Sequence, residues 1–129
     1  MARFVQWLLV GWFLMLAIWM LSSPMSWYQT TPGVVDTGPF NMHFVMDIGL
    51  VFLMSAGAMA YGLRQQNQTA IICGAVWPAL HAAFHIYIWF ERGIPFDLVA
   101  LSNLVGIQLP AWTALLLALS SNKRSIRYA

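Results

Sequence analysis

Apolar positions fall into four long stretches, at about residues 4–21, 41–63, 69–90 and 98–119, separated by polar breaks. Each is close to the roughly 20 residues a helix needs to cross a hydrocarbon core about 30 Å thick. The breaks carry turn chemistry. "SSPMSWYQTTPGVVDTGPF" is rich in Pro, Gly, Ser and Thr and holds Trp27 and Tyr28, residue types that favour the headgroup region. "RQQNQ" and "ERGIPFD" are short polar turns, and the end of the chain, "SSNKRSIRY", is basic. The pattern predicts an all-α fold: one domain, residues 1–129, built as a membrane-embedded four-helix bundle.

Composition agrees with this pattern. Apolar residues make up 60% of the 129 and charged residues only 8%, against about a quarter charged in ordinary soluble domains. The lipid bilayer is therefore the expected partner. A net charge of +2 is too slight and too scattered for nucleic-acid binding. Cys73 is the sole cysteine and has no intramolecular disulfide partner. The first stretch, "FVQWLLVGWFLMLAIWML", is longer than a signal-peptide core, carries three tryptophans and is not followed by a small-residue cleavage site, so it is read as a retained helix.

Basic residues orient the spans. With the amino terminus inside, Arg3, Arg64, Lys123, Arg124 and Arg127 share the cytoplasmic side and only Arg92 lies opposite. Both termini are thus expected in the cytoplasm of a bacterial cell, in an inner-membrane protein with the 22–40 and 91–97 loops outside.

This topology gives the polar residues of the spans a depth. His43 and Asp47 fall about one and two turns below the outer end of the second span, and His81 and His85 about two to three turns below that of the third. Residues four apart share a helix face, and helices joined by a short turn are neighbours. If those faces meet, three imidazoles and a carboxylate converge. The H-x-x-x-H spacing is suited to aiming two imidazoles at one metal ion. His43, Asp47, His81 and His85 are therefore the expected ligands of zinc, iron or copper, with Asn103 and Gln108 as supporting hydrogen-bond donors. Ionisable residues inside spans are costly and usually face the bundle interior. Asp97 is expected to cap the fourth span, Pro78 and Pro110 to loosen the helices that hold them, and Asp36 to fold over the outer mouth.

The blocks "GPFNMHFVMDIG" and "WPALHAAFHIYIW" resemble those of a group of uncharacterised small bacterial four-helix integral membrane proteins, with an N-x-H-x-x-x-D-x-G block followed by H-x-x-x-H. Pro39, Asn41, His43, Asp47 and Gly49 fit the first block, and Pro78, His81 and His85 the second, over about half the chain. The group has a basic residue beside the aspartate where this chain has Met46. The resemblance implies a four-helix membrane bundle whose His and Asp residues act as a unit; it implies no activity.

Three functional classes remain at this level. One is a metal-dependent membrane protein, either an enzyme or a metal handler. Another is a haem protein in which histidines of facing helices clamp the iron. The third is an accessory subunit of a larger membrane complex in which the polar set is purely structural. Homo-oligomerisation is open in each.

Overall fold

The computed structural model describes residues 1–125, with side chains through Ser120. Among the described residues, four helices are long and apolar enough to span a membrane, and they form an all-α bundle. Helix α1 covers Ala2–Ser22 and is followed by the short α2, Pro24–Thr30. Helices α3, Met42–Gln65, and α4, Gln68–Glu91, form the second and third spans. The fourth span begins as α5, Leu98–Asn103, passes through a π-helical turn at Leu104–Gln108 and continues as α6, Leu109–Ser125. The chain is a multi-pass membrane protein.

Neighbours follow chain order around the bundle: α1 packs on α3, α3 on α4, and α4 on α6. Without a hydrophobic drive between helices in lipid, close approach through small residues supplies the association. Gly49 brings α3 against Met20 and Leu21 of α1. Gly74 brings α4 against the Ser55 carbonyl and the Met59 amide of α3, and Gly62 brings α3 against the backbone of Asn67 and Ile71. Phe13, Phe52 and Met59 fill the centre, with Ala17, Ala56, Ala75, Ala114 and Ala118 buried around them.

The α3–α4 hairpin closes tightly. Gln66 takes a left-handed conformation, φ 54°, and the Asn67 amide donates back to the Gly62 carbonyl at 2.9 Å, which satisfies an orphan carbonyl at the helix end. Asn67 then caps α4 by accepting from the Ala70 amide at 3.1 Å. At the same end, Arg3 donates to the Leu63 carbonyl at 2.7 Å, tying the start of α1 to the end of α3. Gln68 donates to the Ala118 carbonyl and joins α4 to α6.

Pro110 explains the break in the fourth span. Its ring would press on the carbonyl four residues earlier, that of Gly106, and it has no N–H to donate there. The chain widens into i→i+5 bonding, with the Leu109 amide donating to Leu104. The freed Gly106 carbonyl accepts from the Trp12 indole at 3.1 Å. A side chain of α1 thus replaces the missing backbone donor.

Candidate functional site: a lateral groove beside His85

The expected metal centre does not form. Among the described residues no group of three or more His, Cys, Asp or Glu could hold a metal ion. His43 and Asp47 do pair, Nδ1 to Oδ2 at 2.8 Å, but their side chains are 85% and 55% exposed on the outside of the bundle. His81 and His85 lie on the inner side of α4, half-buried. The reason is rotational. Phe52 is the α3 residue that meets Trp77 and His81, with ring centroids 5.0 and 6.2 Å away. At about 100° per residue, His43 lies about 180° around the helix from Phe52.

The small residues Gly49, Ser55 and Gly62 decide which side of α3 packs, and the polar stripe is left facing outward. The zinc, iron or copper assignment for His43, Asp47, His81 and His85 is therefore overturned, and with it the metal-handling reading. A haem held between facing helices fails on the same geometry, because the one histidine of α3 points away from α4. A single structural network fails as well, since the two pairs are separate.

His81 is packed into an aromatic column. Its ring stacks on Trp77 at 5.0 Å with an interplanar angle of 11°, and it meets His85 edge-on at 4.5 Å. It borders a void of about 10 Å³ walled also by Phe13, Phe52, Pro78, Gly106, Ile107 and Ala111, at the lower limit for a single water. This side chain faces packed interior.

His85, one turn further out, faces a different setting. It lines a groove of about 1240 Å³ that runs along α4 and is walled opposite by α5 and the π-helical turn. The walls are mostly apolar: Ile86, Ile88, Trp89, Phe96, Leu101 and Leu104. The polar groups are few, namely His85, Asn103 and Gln108 along its length and Arg92, Asp97, Asp36 and Thr37 at the end away from the α3–α4 hairpin. Two are left open. His85 Nδ1 and Asn103 Oδ1 are buried from solvent yet have no hydrogen-bond partner. Such atoms are uncommon in folded proteins and call for a specific explanation.

The π-helical turn places Asn103. In a uniform α-helix, Asn103 and Gln108, five residues apart, would diverge by about 140°. The i→i+5 turn between them brings both to the groove side. Gln108 is fixed there: Nε2 donates to the Ala82 carbonyl at 2.9 Å and Oε1 accepts from the Trp112 indole at 2.9 Å. The expected pairing of Asn103 and Gln108 as supports for bound metal falls with the metal, but both residues line the groove. Gln108 is committed to the protein and Asn103 Oδ1 is free.

The end of the groove away from the α3–α4 hairpin is built by the turn at 92–97 and the loop at 32–37. Asp97 caps α5 by accepting from the Ala100 amide at 2.8 Å, and its other oxygen pairs with Arg92 at 2.6 Å. The Ala100 amide first, and the Arg92 guanidinium after it, hold the Asp97 carboxyl below the usual carboxylate range. The Trp89 indole donates to the Pro95 carbonyl at 2.9 Å and meets Phe96 edge-on. Across the groove, Gly33 has a φ of 81°, and a Cβ there would sit 2.7 Å from Val99, so only glycine lets the loop close on α5. The Tyr28 hydroxyl holds the other end of that loop by donating to the Gly38 carbonyl at 2.8 Å. Asp36 lines this end of the groove rather than the mouth of a His/Asp site.

Sequence reasoning missed the groove as an object. Its one legible trace was Pro110, whose disruption reaches back through the turn before it. Comparison of the chain with protein-family models, with curated proteins and with solved structures finds no match.

Proposed function

We propose that this membrane protein binds an amphiphilic small molecule in the groove between α4 and α5. The ligand has an apolar body lying along Ile86, Trp89, Leu101 and Leu104 and a polar head that meets His85 and Asn103 as their side chains turn their unpartnered atoms into the groove. The observation that carries this reading is the pair of buried, unpartnered atoms, His85 Nδ1 and Asn103 Oδ1, on two residues that line a mostly apolar groove. Concave, mostly apolar sites with a few placed polar groups are the usual form of small-molecule sites. The carboxamide oxygen of Asn103 can only accept, so the head must bring a donor, a hydroxyl or amide N–H. The distribution of Arg3, Arg64, Lys123, Arg124 and Arg127 against Arg92 supports cytoplasmic termini. The groove then opens in the extracytoplasmic half of the bilayer.

The test uses a brominated monoacylglycerol, which carries hydroxyl donors on one apolar chain, added to the protein in nanodiscs. Bromine seated in the groove quenches Trp89, and the Trp89→Phe variant reports the background. Asn103→Leu is expected to weaken binding about tenfold, the loss of one hydrogen bond, and the matched brominated methyl ester is expected to bind as weakly to the parent protein. Equal quenching by both probes, unchanged in Asn103→Leu and His85→Leu, would refute the proposal. Orientation is read separately in a Cys73→Ser background: an impermeant thiol reagent on intact cells should label Thr37→Cys and spare Gln66→Cys, and the reverse pattern overturns the assigned orientation.

A further inference from the structure

The outward face of α3 carries a feature the groove does not use. His43, Asp47, Leu50, Met54, Gly57 and Tyr61 are all exposed and recur at alternating spacings of four and three along the whole span. That is the a/d spacing of a coiled-coil seam. Every span has an outward stripe for lipid, but this one differs in chemistry. Of the four carboxylates in the chain, Asp36 is in a loop, Glu91 ends α4 and Asp97 caps α5. Asp47 alone lies inside a span, more than a turn from its end. A carboxylate facing acyl chains is costly, and such groups normally pair within protein.

The His43–Asp47 contact uses one nitrogen and one oxygen. Among the described residues the Nδ1–Oδ2 contact is the only side-chain hydrogen bond of the pair, so His43 Nε2 and Asp47 Oδ1 take part in none. In the net-neutral form of the pair one proton lies in the Nδ1–Oδ2 contact and a second sits on Nε2, so Nε2 donates and Oδ1 accepts, four residues apart on one face, and the pair is complementary to a copy of itself. Copies of one chain inserted in the same orientation can be related by a two-fold axis only if it runs along the membrane normal, which sets their α3 helices parallel. In a parallel seam each position meets its counterpart and the neighbouring seam position, so His43 of each copy reaches the carboxylate of the other. Gly57, with nothing within 4 Å of a Cβ built on it, leaves room for close approach at mid-span.

We infer that the outward face of α3 is a homodimer seam, in which the His43–Asp47 pairs of two copies of this chain join into one closed hydrogen-bonded ring in the membrane. Cysteines placed singly at Leu50, Met54 and Gly57 in the Cys73→Ser background test it by oxidative cross-linking in native membranes. Leu80 on α4 and Leu116 on α6, equally exposed, serve as controls. Disulfide-linked dimers are expected at the three seam positions and not at the controls. In liposomes, single-molecule photobleaching should show the dimer affinity of Asp47→Leu falling about tenfold, the scale of one or two interhelical hydrogen bonds. Because Asp47 is exposed in the single chain, this variant keeps the fold, which far-UV dichroism checks. Cross-linking no stronger at the seam than at Leu80 and Leu116, adducts to a different protein, or a dimer fraction indifferent to Asp47→Leu each overturns the inference.

Discussion

Replacing Gly74 by alanine adds a methyl group where the bundle has no space for one. The new Cβ would lie 2.7 Å from the Ser55 carbonyl oxygen and 2.8 Å from the Met59 nitrogen. Both are backbone atoms of α3 and neither can rotate aside. Ordinary van der Waals contact begins near 3.4 Å, so the helices must part by about 0.7 Å at this level. Ser55 and Met59, fully buried at this contact, lose packing as they do. Overpacking of this kind costs about 1–3 kcal/mol, while the helix propensity of alanine over glycine returns roughly 0.5–1 kcal/mol. The expected net loss is about 0–2.5 kcal/mol, and the difference from an alanine that meets nothing is the full cost of about 1–3 kcal/mol.

The matched control is Gly11→Ala in α1, where nothing lies within 4 Å of the added Cβ. That variant should keep or slightly gain stability through propensity alone. Reversible unfolding in mixed detergent micelles, followed by far-UV dichroism, measures both. If Gly74→Ala unfolds at the same denaturant fraction as Gly11→Ala, backbone contact between α3 and α4 is not what holds the hairpin, and the packing argument is wrong.

Two further predictions concern single hydrogen bonds. Trp12→Phe keeps the ring but withdraws the donor from the Gly106 carbonyl freed by Pro110, and it should cost about 1–3 kcal/mol; Pro110→Ala in the same background restores a backbone N–H, and failure to recover any stability would show that the carbonyl is not the group at stake. At the 92–97 turn, the Asp97 carboxyl is held below its ordinary value by the Ala100 amide and Arg92. Its contribution is therefore complete above the unfolded carboxylate range and is lost as pH falls through the lower folded value. Protection of the Ala100 amide from hydrogen exchange, corrected for intrinsic rate, should drop over that acidic window in the parent and show no such step in Asp97→Ala; a step shared by both proteins would dismiss the cap as its source.

The four spans were legible because lipid imposes one requirement, an uninterrupted apolar helix, on long segments. The cap at Asp97 is local and was read from the sequence; those at Asn41 and Asn67 follow the same rule, with the acceptor side chain and the amide it takes up three residues apart, and were not singled out. The rotation of α3 about its axis was harder to read. Two stripes competed for the interior, the polar one through His43 and Asp47 and the one through Gly49, Phe52, Ser55 and Met59. Weighing the cost of an exposed carboxylate favours the first, whereas backbone approach through small residues selects the second. The groove was invisible for a different reason. It depends on a departure from α-helical pitch between Asn103 and Gln108, and periodicity arguments assume that this pitch is constant.

The connection at Gln66 and Asn67 also bears on how the bundle is assembled. Two residues separate α3 from α4, whereas α1 meets α3 only across a connection that includes α2 and the loop to Asn41. Loop-closure entropy rises with the length of chain enclosed, so the α3–α4 hairpin is the pairing that needs least ordering of intervening chain. During synthesis it can be complete before the fourth span has left the ribosome, leaving the groove wall as the last part to be put in place.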